Sequence, residues 1–448
     1  MSGLTSGSPS TTEKGENEQP ANERLLMLIL AAVQFATIVD FMIVMPLGPQ
    51  LMRVMHISPA TFGLIVSSYT FAAGVAGLIA STVVDRFPRR QTFMFLYAGF
   101  LIGTMLCGLA PNHWTLVLAR ILTGIFGGVL GGFSMAIIGD VFPEERRGQA
   151  TGSLMTGFAL ASVAGVPLGL IIGNTWGWHM TFIALAIAGI PTLILTPFAM
   201  PRLDGHIGAK QPIMFESLVN IFREPSHWPA FGLMITLTLS GFLIFPYLST
   251  FLVGNVGMKE SELPLLYIAG GVLTMVASPI IGRFADRHGK LRVFRVIAPM
   301  SALMLFLITQ LPVGQVALAV MAFGSLMVCN VGRMIPAMSM VTSAVSPSKR
   351  GAFLSVNSSV QHMSGGFASY AGGLIIVESA SGPLLRFEVL GVLAALSGLA
   401  SIFLAGYLKS AIVPEVRAET MAIAAAAEAT AEPGEIIAAC VGTDVKVG

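Results

Sequence analysis

Residues 25–48 read LLMLILAAVQFATIVDFMIVMPLG, a run interrupted by a single charge, Asp40. A helix needs roughly 20 apolar residues to cross a hydrocarbon core ~30 Å thick, so this segment alone is long enough to span a bilayer. The whole chain shares its character. Of 448 residues, 54% are hydrophobic and 11% charged, where a soluble chain carries about 25% charged residues; the mean hydropathy is +0.79. Such a composition excludes a water-soluble enzyme, a disordered regulator and a disulfide scaffold. The 49 Gly and 25 Pro favour helices over a barrel, because both are frequent in transmembrane helices. Cys107 and Cys329 fall within apolar segments and Cys440 in a tail, an odd set that implies no disulfide framework. The net charge of +2 argues against a nucleic-acid partner. The first 22 residues are polar and lack the apolar core of a cleavable signal peptide, so the first span serves as its own insertion signal.

Cutting the chain at charge clusters and Pro/Gly/Asn turns gives twelve spans, approximately 25–48, 61–83, 91–110, 115–139, 150–173, 179–199, 229–254, 263–282, 293–311, 315–340, 352–376 and 387–408. An even number puts both tails on one side. With those tails in the cytoplasm, the five inner loops hold fifteen basic residues and the outer loops three, Arg53, Lys259 and Arg386. This positive-inside bias predicts cytoplasmic termini, and the expected setting is a bacterial inner membrane. The expected organisation is a tail (1–24), a six-helix bundle (25–199), a linker (200–228) with an amphipathic stretch at 215–222, a second six-helix bundle (229–408) and a tail (409–448). The expected fold is an all-α membrane protein with two pseudo-symmetric six-helix bundles.

The halves repeat. Asp85-Arg86 recurs as Asp286-Arg287, Arg147-Gly148 as Arg350-Gly351, and Gly169-Leu-Ile-Ile as Gly373-Leu-Ile-Ile, at offsets of 201, 203 and 204. Three marks at nearly one offset indicate a duplicated unit, as in many transporters. An acid at a helix junction can pair with a neighbouring Arg and gain from a helix N-terminus, each contact worth roughly 0.3–1 kcal/mol. Asp85, Arg86, Arg89 and Arg90 in one loop, with Asp286, Arg287 and Lys290 in the other, are therefore candidate conformational latches. Ordinary topology explains the basic residues but not the repeated acid.

The loop Gly282-Arg-Phe-Ala-Asp286-Arg287-His-Gly289-Lys290 matches at every defining position the loop signature of the major facilitator superfamily of secondary transporters, and the chain resembles that family over about 25–408. The first copy has Ser81 and Pro88 where the signature has Gly. Arg120-x-x-x-Gly124-x-x-Gly127-Gly128 looks like the family's Arg-centred motif, which the resemblance links to proton coupling. Gly165-Val-Pro167-Leu-Gly169, followed by Trp178-x-x-x-Phe182, looks like a variant of the antiporter motif of twelve-span drug and sugar-efflux members, with Val166 at a position more often Gly or Ala.

Asp40 is the one acid well inside a span. Such a charge costs about 2.5–3.5 kcal/mol on insertion scales and is by default functional or paired. At 1.5 Å per residue, Asp40 and Arg120 lie ~10 Å and ~8 Å from the same side of the membrane, so Arg120 is the expected partner. Burial and a guanidinium bias a carboxyl's protonation in opposite senses, so a pair that moves together and apart could bind and release a proton. The competing reading is a static pair fixing two helices. Arg333, with Asn330, Asn357, Gln361 and His362, forms either a polar wall for an anionic or hydroxyl-rich solute or a set of groups that satisfy one another. Gln34, Tyr69, Ser134, Tyr247 and Tyr267 are further cavity candidates, although such groups commonly make interhelical hydrogen bonds.

These features lead to a proton-coupled exporter of a small organic solute, working by alternating access as a monomer. Its partners are the solute, protons and the lipid bilayer, its energy source is the proton gradient, and no cofactor or metal is expected. Proton-coupled uptake or facilitated diffusion is the alternative. A membrane enzyme lacks any metal-ligand spacing or nucleophile-base group, and a non-transporting sensor has only the tails in its favour.

Overall fold

The computed structural model describes residues 23–200, 221–345, 350–379 and 382–430. Twelve long helices follow one another: α1 (Glu23–Ile43), α2 (Pro59–Val83), α3 (Arg89–Gly108), α4 (His113–Val141), α5 (Glu145–Trp176), α6 (Trp178–Ala199), α7 (Pro225–Val256), α8 (Glu260–His288), α9 (Lys290–Gln310), α10 (Val316–Ser343), α11 (Arg350–Ile375) and α12 (Phe387–Leu408). Eleven are long and apolar enough to cross a membrane. The exception is α11, whose 26 residues suffice in length but include Asn357, Gln361, His362 and five serines. It packs along α2, at the seam between the halves, where polar groups are shielded from lipid.

Local chemistry sets the boundaries. The first helix stops at Ile43 rather than 48, because Pro46 has no N–H with which to continue the ladder. A short helix, Gly48–Met55, follows with Pro49 in its first turn. α4 begins where Asn112 Oδ1 accepts from the Thr115 N–H at 3.0 Å. α8 runs past the expected 282 to His288 and ends at Gly289, whose φ of +90° lets the chain reverse into α9. In the first half, a 3₁₀ turn (Val84–Arg86) and Pro88 make that connection instead. The amphipathic stretch expected at 215–222 falls outside the described residues except for Ile221 and Phe222, and so does 431–448 of the tail, with Cys440. Helical backbone continues from α12 to Thr430.

The start of α1 and the end of α12 share one face, here the terminal face; the opposite one is the distal face. In the distal half a single apolar cluster joins both bundles, with Val44, Leu47, Phe62 and Val66 packed among Leu243, Tyr247, Leu248 and Phe251. Toward the terminal face the cores separate. Leu30, Phe93, Phe133 and Leu154 pack within the first bundle, and Phe231, Phe294, Val341 and Phe353 belong to a core of the second. The apolar core is therefore continuous between the bundles on the distal side, whereas toward the terminal side the two cores are separate and the bundles meet along α2 and α11, with Leu78 against the second core.

Candidate functional site

α1 carries Asp40 and α4 carries Arg120, seven residues or ~10 Å from the distal start of its helix. The structure brings them together. Arg120 Nη1 donates to Asp40 Oδ2 at 2.7 Å and to the Asp40 carbonyl at 3.3 Å. Thr104 Oγ1, from α3, donates to Oδ1 at 3.1 Å. The Arg120 guanidinium carbon lies 4.3 Å from the Tyr69 ring centroid on α2, a cation–π distance. Side-chain exposure is 1% for Arg120 and 0% for Asp40. Taking two ions out of water costs several kcal/mol each, and Arg120 Nε has no hydrogen-bond partner among the described residues, so stability alone does not explain the pair.

All four groups come from the first bundle. A rigid rocking of one bundle against the other would leave Asp40 and Arg120 the same distance apart. What the second bundle contributes is cover: Phe242 of α7 lies 6.0 Å, centroid to centroid, from Phe41, which lies 5.3 Å from Tyr69.

A cavity of about 180 Å³ lies between α2, α4 and α11, lined by Gly77, Gly128, Gly132, Ser355, Ser358, Ser359 and His362, with Arg89 at its rim. Of the residues singled out in the sequence as cavity candidates, His362 lines it. Gln34 is half-buried on α1 facing Gly131, and Ser134 is buried with its hydroxyl unpartnered. Tyr247 donates to the Ser369 carbonyl, and Tyr267 pairs with Ser249 at 3.0 Å. Asn330, Arg333, Asn357 and Gln361 sit in the second bundle.

The latch candidates occupy the terminal face. Arg89 Nε donates to Asp140 Oδ2 at 2.8 Å, inside the first bundle, and Lys290 Nζ reaches Ser343 Oγ at 3.3 Å, inside the second. Arg86 and Arg287 are exposed and Arg90 is half-buried; the Asp85 side chain lies outside the described residues. Asp286 is exposed in the last turn of α8, a C-terminus whose dipole disfavours an acid, so the N-terminal stabilisation expected for it is not supplied by its own helix.

An ion pair that bridges the bundles stands on the distal face. Arg53, after α1, grips Glu260 at the start of α8 with both terminal nitrogens, and Asn174 Nδ2 of α5 donates to the Glu260 carbonyl at 2.9 Å. Arg53 is 61% exposed, and exposed pairs contribute at most about 1 kcal/mol. Glu260→Arg should accordingly raise the labelling of cysteines placed on the distal seam by a few fold at low salt. Adding Arg53→Glu should restore the wild-type level, and the effect should fade in 1 M salt; an effect insensitive to salt would rule out an electrostatic clasp.

The antiporter-like segment of α5 contains a π-helical turn, Ala161–Gly165, just before Pro167. Gly165 and Gly169 press against Val39 and Ile43 of α1, leaving no room for a side chain. The opposite face meets the second bundle, with Val163 against Gly271 of α8. Pro167 is buried.

The sequence profile of the Major Facilitator Superfamily matches residues 30–369 and, overlapping them, 230–435. The chain belongs to the Major Facilitator Superfamily. It is 26% identical over 337 residues to the inner membrane transport protein YdhP of Escherichia coli strain K12, covering 74% of this chain and 84% of that protein. Its fold is similar to that of a bacterial homologue of the human lysosomal transporter Spinster, solved inward-facing and unoccupied, with TM-score 0.65, 17% identity and coverage of 88% of this chain and 97% of that one. It is also similar to a D-xylose–proton symporter, with TM-score 0.67, 16% identity and coverage of 85% and 97%. This superfamily member is thus an integral membrane transporter of small solutes.

Several participants were not picked out from the sequence. Thr104 is one of many hydroxyls in spans and carries no distinguishing mark. Asp140 ends α4 at the level where Arg89 begins α3, so depth arithmetic could have paired them. Glu260 and Phe242 depend on the contact between bundles and leave no local signal.

Proposed function

We propose that this transporter is a proton-coupled exporter of a small organic solute, in which Asp40 carries the proton and Arg120 sets its affinity. The single observation that supports it is the buried Asp40–Arg120 pair beside Phe41 and Tyr69, with Phe242 of α7 packed on Phe41, in a body whose apolar core is continuous across the bundles distally and separate toward the terminal face. Two states with different cover over one titratable group are what coupling requires. Because rocking preserves the Asp40–Arg120 distance, the variable is hydration: lifting Phe242 from Phe41 admits water to the pair. The cavity bordered by Ser355, Ser358, Ser359 and His362 receives the solute from the terminal face, which we assign to the cytoplasm. Asp85, Arg86, Arg89, Arg90, Asp286, Arg287 and Lys290 latch that face when it closes, and Gly165, Pro167 and Gly169 keep α5 tight against α1 so that no leak path opens. The chain works as a monomer in a bacterial inner membrane and uses the proton gradient without a cofactor.

Everted vesicles with an imposed pH gradient test the direction. A substrate panel screened first in a strain lacking its own efflux pumps supplies the solute. Solute-induced proton release from the vesicle lumen is expected; proton movement in the same direction as the solute would favour uptake and overturn the export reading.

A further inference from the structure

Arg120 and Arg333 are 1% and 2% exposed inside membrane-spanning helices, and a guanidinium keeps its charge in proteins. Their surroundings differ in one respect. Arg120 has Asp40. Arg333, ten residues or ~15 Å from the terminal end of α10, has no carboxylate partner among the described residues. The described acids of the second bundle, Glu224, Glu260, Glu262, Asp286, Glu378 and Glu388, lie at helix ends and loops, and none is buried. Arg333 Nη2 donates to Asn330 Oδ1 at 2.8 Å and reaches the Leu237 carbonyl only at 3.5 Å. Its Nη1 is out of solvent and has no hydrogen-bond partner among the described residues. It faces the α12 backbone at Gly398, where a Cβ would stand 3.3 Å away.

A second unsatisfied group lies in the same packed unit. Asn357 of α11 is 0% exposed, and among the described residues neither its Oδ1 nor its Nδ2 has a hydrogen-bond partner. It is flanked on α11 by Phe353 and Val356, which share one apolar cluster with Leu237 and Ala337. A buried charge without a counter-ion and an amide with both atoms idle are each costly, and both deficits are met by one kind of molecule. An anion supplies acceptors for Arg333 Nη1 and Asn357 Nδ2, and a hydroxyl on it supplies a donor for Asn357 Oδ1.

We infer that Arg333, Asn330 and Asn357 form an anion-binding subsite, and that the solute this transporter carries is a hydroxylated organic monoanion. The inference rests on the transport reading for its biological sense, but binding is measured without transport. The test uses the purified full-length chain in detergent at pH 7, with salicylate as the hydroxylated monoanion and salicylamide as its neutral counterpart. Salicylate should raise the unfolding temperature more than salicylamide does. Arg333→Gln should remove the difference, Arg333→Lys should keep part of it, and Asn357→Ala should weaken salicylate binding at least tenfold. Without any anion, Arg333→Gln should unfold at or above the wild-type temperature, since it deletes an uncompensated charge, whereas Arg120→Gln should unfold below it. Equal stabilisation by the two probes, a difference that survives in Arg333→Gln, or an anion-free Arg333→Gln less stable than wild type would each overturn the proposal. The last result would make Arg333 a structural clamp on α7. A chain that binds salicylate through Arg333 yet moves no solute in vesicles would refute the export reading and leave the subsite standing.

Discussion

Asp40→Asn should abolish solute-induced proton release and at the same time lower the unfolding temperature. The two effects have separate causes. Asn keeps the size of the side chain but leaves the Arg120 guanidinium, 1% exposed, without a counter-charge, and breaking a buried pair by removing one partner costs about 3–5 kcal/mol. In the double variant Asp40→Asn/Arg120→Met the orphaned charge is gone, so most of the stability should return while proton release stays absent. Differential scanning fluorimetry and a pH-sensitive dye trapped in proteoliposomes read the two quantities independently. A single Asp40→Asn variant that still releases protons, with the pH dependence of transport intact, would remove Asp40 from the coupling path and leave only a structural pair.

Gly63→Val should shift the transporter away from its distally closed form. On α2, a Cβ at position 63 would stand 2.7 Å from the Ser369 carbonyl of α11 and collide with the Tyr247 hydroxyl that donates to that carbonyl. Neither neighbour can yield freely, because one is backbone and the other is held by the hydrogen bond between them. Gly373 faces Pro59 across the same seam, its Cβ position 2.6 Å from the Pro59 carbonyl, so the wedge has no slack on either side. Overpacking of this kind costs typically about 1–3 kcal/mol, which alters the ratio of two states roughly 5- to 150-fold. In a background lacking Cys107, Cys329 and Cys440, Ser355→Cys in the terminal cavity should become slower to label and a cysteine on the distal seam faster. Unchanged labelling with a lower unfolding temperature would show that this seam does not part between states.

How far the sequence reached depends on what kind of information each feature needs. Helices such as α2, α6 and α12 were legible because a bilayer imposes a length and an apolarity that each segment satisfies alone. The Asp40–Arg120 contact was legible for the same reason, since the membrane supplies a ruler and depth can be counted along each helix. α1 ended early because a proline acts on its own backbone, a rule equally local, and α8 overran its expected end because the signature loop is helical up to Gly289.

The sequence by itself determined the membrane-spanning class, the twelve segments, the duplicated halves and the lone intramembrane acid with a base at its level. These follow from composition, periodicity and spacing, which are properties of one strand of chain in a known solvent. Only the tertiary structure decided that the pair lies wholly within one bundle, that Phe242 of the other bundle packs on Phe41 beside it, that Arg53 meets Glu260, and that Arg333 has no acid partner among the described residues. Those depend on how two bundles are turned toward each other, and no residue encodes that locally, because each contact joins side chains that neither spacing nor depth relates.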